Sequence, residues 1–208
     1  SKSAADIIIR SFFYSFFKNS KSKTKIAVGR AGNVIGGGDW SVNRIVVDAV
    51  KAWSKNKPVI IRAPNATRPW QHVLEPCGGY LSLAYKLSLN DKLNGQAFNF
   101  GPKPDQDETV LNLLLNLSDM WGLNRKDDIY SIADEIPFKE AGLLKLNCEK
   151  ACQILSWSAV LSYDETVRYT GEWYLENIRN SKNLLEFSIE QIRKYMEQAE
   201  NQKLVWIK

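Results

Sequence analysis

The chain has 208 residues, enough to bury the core of one domain, and its 44% hydrophobic and 25% charged residues are ordinary for a folded globular protein. No apolar run approaches the roughly 18–20 residues that cross a bilayer, so no membrane partner is expected. The net charge of +5 is spread along the chain without a recognition motif, which argues against nucleic acid, and three cysteines with one histidine (His72) make no metal set.

From Ser3 to Lys18 no proline or glycine interrupts, and Ile8, Phe12 and Phe16 recur at helical spacing. Asp6 and Arg10 break this apolar stretch, which also lacks the order of a signal peptide. Lys23–Ala31 reads as a buried strand, Asn43–Lys55 as a helix and Lys57–Arg62 as a short strand before the turn-rich APNATRP. HVLEPCGGYLSLAYKLSL reads as a strand-to-helix junction with Pro76 near the helix start. Gln96–Pro102 is a strand, and DETVLNLLLNLSDMWG a helix with an acidic first turn and Gly122 at its end. DIYSI and LLKLN read as short extended segments. CEKACQILSW is a short helix, and two longer helices finish the chain, the last amphipathic. Strands alternating with helices indicate an α/β fold. Cys77, Cys148 and Cys152 read as free thiols of a reducing compartment, so the expected location is cytoplasmic, and His72 reads as a structural side chain.

The segment GRAGNVIGGGDW (Gly29–Trp40) stands at the carboxyl end of the first strand, where open α/β sheets bind ligands. Asn33 offers an amide donor and acceptor together. Three consecutive glycines let backbone approach a ligand and turn N–H groups toward phosphate oxygens; a plain flexible turn is the other reading.

RAGNVIGGGDW, PVIIR, TRPWQHVLEPCGGYLSLAYKL and FNFGP occur in this order and at these spacings. Together they resemble the second half of the CDP-glucose 4,6-dehydratase family, within the extended short-chain dehydrogenase/reductase superfamily. The resemblance covers roughly Lys2 to Tyr174, and RPWQHVLEP is its most specific piece. It implies the latter part of a Rossmann-type NAD-binding fold (about 1–40) interleaved with a mixed α/β nucleotide-sugar-binding domain (about 41–174). Residues 175–208 would form a helical extension.

The resemblance also implies roles. Lys2 takes the place of the catalytic lysine that binds the nicotinamide ribose of NAD and lowers the pKa of a tyrosine four residues earlier. The backbone at Val34 would lie near the nicotinamide. Asn33, Arg44 and Arg68 would converge on the substrate diphosphate, Arg62 would reach the base or phosphates, and Asn99 and Glu140 would face the nucleotide. Val47 stands where the family carries proline, and the arginine-rich loop of many relatives is absent around Glu140. Neither the tyrosine nor the glycine-rich dinucleotide cradle occurs within the 208 residues, so this chain alone is expected to be inactive. The intact protein is expected to be an NAD-dependent hydro-lyase acting on CDP-glucose, a homodimer through its first helix. A non-catalytic nucleotide-sugar-binding paralogue, or another epimerase, dehydratase or decarboxylase of the superfamily, remains open.

Overall fold

The computed structural model describes residues 2–19, 23–104, 106, 108–133, 142–180, 183–204 and 206. Helix α1 (Lys2–Phe12) continues through a π-helical turn, Phe13–Phe17, as the unbroken first stretch requires. Strand β1 (Val28–Ala31) is shorter than the 23–31 run suggests. Gly32 separates it from a second strand, β2 (Asn33–Ile35), where sequence reading placed only loop. Helix α2 (Ile45–Trp53) follows, then β3 (Val59–Ile61), β4 (Thr67–Arg68) and β5 (Trp70–His72). Helix α3 (Leu74–Leu89) carries Pro76 in its first turn, where the missing N–H costs no helical bond. Strands β6 (Ala97–Phe100) and β7 (Glu108–Thr109) precede α4 (Val110–Met120).

Helix α4 starts later than its acidic prelude suggests. The Thr109 hydroxyl caps it by accepting from Asn112 N–H at 3.0 Å, and Glu108 belongs to the strand before it. Beyond lie α5 (Lys126–Ile129), β8 (Tyr130–Ile132), α6 (Glu149–Leu155), α7 (Tyr163–Arg179) and α8 (Leu184–Asn201). LLKLN forms no strand; Leu143 makes a single bridge to Thr67. Helix α7 opens with a reciprocal cap. Ser162 N–H donates to Glu165 at 2.7 Å, and Glu165 N–H to the Ser162 hydroxyl at 3.2 Å.

Three strand pairs are parallel and long-range: β1 with β6, β2 with β5, and β3 with β8. The short β4 and β7 pair antiparallel. Parallel pairs need helical crossovers and cover on their faces, so the fold is α/β. One core gathers Val46, Val50 and Trp53 of α2, Ile61 of β3, Leu113 and Leu117 of α4, and Tyr174 of α7. A second packs Phe98 and Phe100 of β6 against Leu83 of α3 and Leu155 of α6. A third holds α8, with Tyr195 and Ala199 set against Val160, Leu161 and Tyr169. No helix among the described residues is long and apolar enough to cross a membrane. Cys77, Cys148 and Cys152 are all free thiols.

Candidate nucleotide-binding site

Asn33 opens β2, whose parallel pairing sets Asn33 opposite Trp70, while its N–H donates to the Pro69 carbonyl at 3.1 Å. The Arg68–Pro69–Trp70 stretch therefore runs directly beside Asn33. Arg68 is half-buried, lies across from Glu108 in the β4–β7 pair, and donates from Nη1 to its neighbour's carbonyl at Thr67 (2.8 Å). Asn33 thus adjoins the backbone at Pro69 and Trp70, while Arg68 belongs to the neighbouring β4–β7 pair. Val34, one step along, lies opposite Gln71.

The glycines that follow are demanded by packing and by a turn. A Cβ on Gly36 would stand 2.8 Å from Val73 Cγ1, and one on Gly37 would fall inside the Trp173 indole of α7. Gly38 has φ +82°, a conformation that side chains disfavour. The run is glycine because the loop crosses a tryptophan and then turns. A loop reading cannot see that, since Trp173 is distant in sequence.

Beyond the glycines, Asp39 and Trp40 lead to Arg44, which occupies the N-cap of α2 with extended φ/ψ and an exposed side chain. No side-chain cap satisfies that helix start. The Asp39 carboxylate accepts from Ser41 N–H at 2.9 Å, which with the nearby Arg44 and Lys51 charges holds its pKa below the ordinary value. Arg62 follows the end of β3 and is exposed. Asp48, one turn into α2 from Arg44, feels the charges of both Lys51 and Arg62, although burial pushes its pKa up. The Arg44 charge thus acts on Asp39 and the Arg62 charge on Asp48.

Asn99 is more committed than expected. Its carbonyl accepts from Arg30 Nη1 at 3.3 Å and its amide donates to the Asn147 carbonyl at 3.0 Å, so it staples β6 to β1 and to the chain before α6. Arg30 also holds Asp6 through Nε and Nη2, both at 2.7 Å, which docks α1 on β1. Lys2 lies one turn before Asp6 on the same helix face. Beyond α1, Phe13 packs against Gly95, whose N–H donates to the Ile26 carbonyl just before β1, so α1 runs against the direction of β1. Lys2 therefore lies toward the carboxyl end of β1, the end from which Asn33 departs, and it is exposed there. Glu140 lies outside the described residues.

Two cavities, of about 330 Å³ between α7 and α8 and about 250 Å³ between α1 and the β1–β6 pair, are lined by none of Asn33, Arg44, Arg62 or Arg68.

Sequence reading missed the buried polar clamp behind the site. Glu75, 1% exposed, accepts from Val160 N–H (3.0 Å), Leu161 N–H (2.7 Å) and the Tyr195 hydroxyl (3.0 Å). Burial pushes its pKa up to about 7 against the pull of those donors. Gln71 donates to the Phe100 carbonyl at 2.9 Å and ties β5 to β6. His72 is a packed core side chain, as the structural reading held. Burial lowers its pKa to about 4, its ring meets Tyr169 edge-on at 5.5 Å, and Nδ1 accepts from Leu74 N–H at 3.4 Å. No local signal marked the clamp, because its partners Val160, Leu161 and Tyr195 are distant in sequence.

No family model matches the chain. CDP-glucose 4,6-dehydratase of Salmonella typhimurium is 37% identical over 201 residues, 94% of this chain and 54% of that protein. Among solved structures, a dTDP-glucose 4,6-dehydratase from Streptomyces venezuelae with NAD bound superposes with a TM-score of 0.71 at 16% identity, covering 88% of this chain and 52% of that one. UDP-glucuronic acid 4-epimerase from Bacillus cereus, in complex with UDP-glucuronic acid and NAD, gives 0.69 at 16% identity, covering 84% and 51%. The chain spans about half the length of these relatives. The expected similarity to CDP-glucose 4,6-dehydratase is present, and the fold is part of that of the nucleotide-sugar dehydratases and epimerases.

Proposed function

We propose that the chain is the nucleotide-sugar-binding half of an NAD-dependent CDP-glucose 4,6-dehydratase, acting in the cytoplasm. In this reading residues 1–40 belong to the Rossmann part, 41–174 to the substrate-binding part and 175–208 to a helical extension. The observation that carries it is the β2–β5 register, which sets Asn33 beside Arg68–Trp70, within a chain 37% identical to a CDP-glucose 4,6-dehydratase. Asn33 and Arg68 would hold the diphosphate, the guanidinium binding phosphate oxygens bidentately. Arg44 would add a charge at the N-terminus of α2, a position where a cation alone opposes the helix dipole and a phosphate relieves it. Arg62 would reach the base or the phosphates from the end of β3, Glu140 would approach the nucleotide, and Asn99, whose side-chain oxygen accepts from Arg30 Nη1, would face the nucleotide.

The residues present suit NAD. Lys2 stands exposed toward the carboxyl end of β1, positioned by the Asp6–Arg30 pair, with the Val34 backbone on the adjoining strand. Lys2 would bind the nicotinamide ribose and favour the ionised form of a neighbouring tyrosine. When bound, NAD would accept a hydride from the sugar and return it, bracketing the loss of water. The exposed apolar face of α1, with Ile8, Phe12 and Phe16, would pair with the same helix of a second copy.

Calorimetric titration with CDP tests the proposal. The chain is expected to bind CDP, and Arg68→Ala to weaken binding by roughly ten- to a hundredfold. No CDP binding, or unchanged affinity in Arg68→Ala, overturns the assignment.

A further inference from the structure

The seven tryptophans of this chain do not have equal surroundings. Trp53 and Trp70 are 4% exposed and Trp157 1%, and Trp121, Trp173 and Trp206 are half-buried, whereas Trp40 is 43% exposed. A tryptophan that serves packing alone is largely covered. Trp40 sits on the loop between β2 and α2, four residues before Arg44, and the loop is fastened on every side. The Tyr174 hydroxyl donates to the Asp39 carbonyl at 2.6 Å. The Lys51 ammonium donates to the Trp40 carbonyl at 2.9 Å and lies 5.9 Å from the indole centroid. The Tyr174 ring meets the indole edge-on at 5.3 Å and 83°. Gly37 is pressed against Trp173 just upstream. Lys51 thus lies over the ring and Tyr174 meets it edge-on, while 43% of the residue stays open to solvent, with the cations of Arg44 and Lys51 set against the carboxylate of Asp39.

A rigid, solvent-facing indole beside a cation that faces an anion is the arrangement that receives a planar ring carrying phosphates. Base–aromatic stacking tolerates any base, because each has a π face, and a ring already held in place loses little freedom on binding.

We propose that Trp40 is the stacking platform for the nucleobase of a nucleoside diphosphate whose phosphates are taken by Arg44. The proposal rests on the nucleotide-sugar reading above and adds to it a residue that discriminates a nucleotide from a bare diphosphate.

The test is calorimetric titration of the full chain with CDP and with inorganic pyrophosphate, folding being checked by thermal melting. Trp40→Ala is expected to weaken CDP binding roughly ten- to a hundredfold and to leave pyrophosphate binding unchanged. Trp40→Phe is expected to keep most of the CDP affinity. Trp40→Leu, which keeps an apolar cover over Tyr174 but no π face, is expected to behave as Trp40→Ala and serves if the alanine variant does not fold. CDP affinity unchanged in Trp40→Leu overturns the inference and leaves the nucleotide-sugar reading standing. Equal loss for CDP and pyrophosphate also overturns it, since the indole then only positions the Arg44 loop. Failure of the unmodified chain to bind CDP removes the nucleotide-sugar reading, and this inference with it.

Discussion

The Tyr195 hydroxyl donates to the Glu75 carboxylate at 3.0 Å, across 120 residues of sequence. Both groups are buried, Glu75 at the first turn of α3 and Tyr195 in the middle of α8. The same carboxylate receives the backbone N–H groups of Val160 and Leu161. One side chain thus fixes the terminal helix, the segment before α7 and the helix that follows the Arg68–His72 strands.

Tyr195→Phe removes one donor from a buried carboxylate. Hydrogen bonds to charged groups contribute about 1.5–3 kcal/mol, so a loss of that order is expected in urea unfolding. A change within error would show that Val160 and Leu161 hold Glu75 without help.

The same carboxylate makes stability depend on pH. Its folded pKa is raised from the ordinary 4.5 to about 7, chiefly by burial. Between those values the folded state holds a proton that the unfolded state has released. Its contribution is therefore full below about pH 4.5 and is lost as pH rises through about 7. The melting temperature of Glu75→Gln is expected to lack this decline. Parallel melting curves for the two proteins from pH 5 to 8 would contradict it.

Gly37→Ala places a methyl group inside the Trp173 indole. Overpacking costs typically about 1–3 kcal/mol, and a loss in this range is expected. In a Trp173→Ala background the same substitution is expected to cost much less, because the clash is gone. Additive losses in the double variant would mean that backbone conformation, not the indole, demands glycine.

Ile8, Phe12 and Phe16 are each more than half exposed on one helix. If α1 pairs with a second copy, the chain is expected to sediment as a dimer at micromolar concentration, and Phe12→Glu as a monomer. A monomeric unmodified chain would count against the pairing.

If Lys2 acts with a tyrosine four residues before it, the 208 residues alone are expected to give no 4-keto-6-deoxy sugar from CDP-glucose and NAD. Detecting that product by mass spectrometry would refute it.

Local signals survived folding well. The Ser162–Glu165 capping box marks the start of α7, Gly122 (φ +69°) follows the end of α4, and Pro76 sits in the first turn of α3. What sequence reading could not supply was pairing. Asn33–Ile35 forms a strand only because Trp70–His72 lies alongside, and the glycine run is explained only once Trp173 is in place. For the site, Asn33 lies alongside Trp70, two residues after Arg68, and the amide of Asn99 is engaged by Arg30 and Asn147. Glu75 was invisible, since nothing local distinguishes a buried glutamate from a solvated one.

The parallel pairing of Val28 with Ala97, Asn33 with Trp70, and Val59 with Tyr130 has a consequence in time. No strand of these three pairs can zip onto its sequence neighbour, so each must wait for a long stretch of chain to close around its own crossover. Helices α7 and α8 can form within microseconds, before any of these ladders exists. Refolding should therefore show helical signal well ahead of tryptophan burial, with the parallel strand pairs among the last parts of the molecule to set.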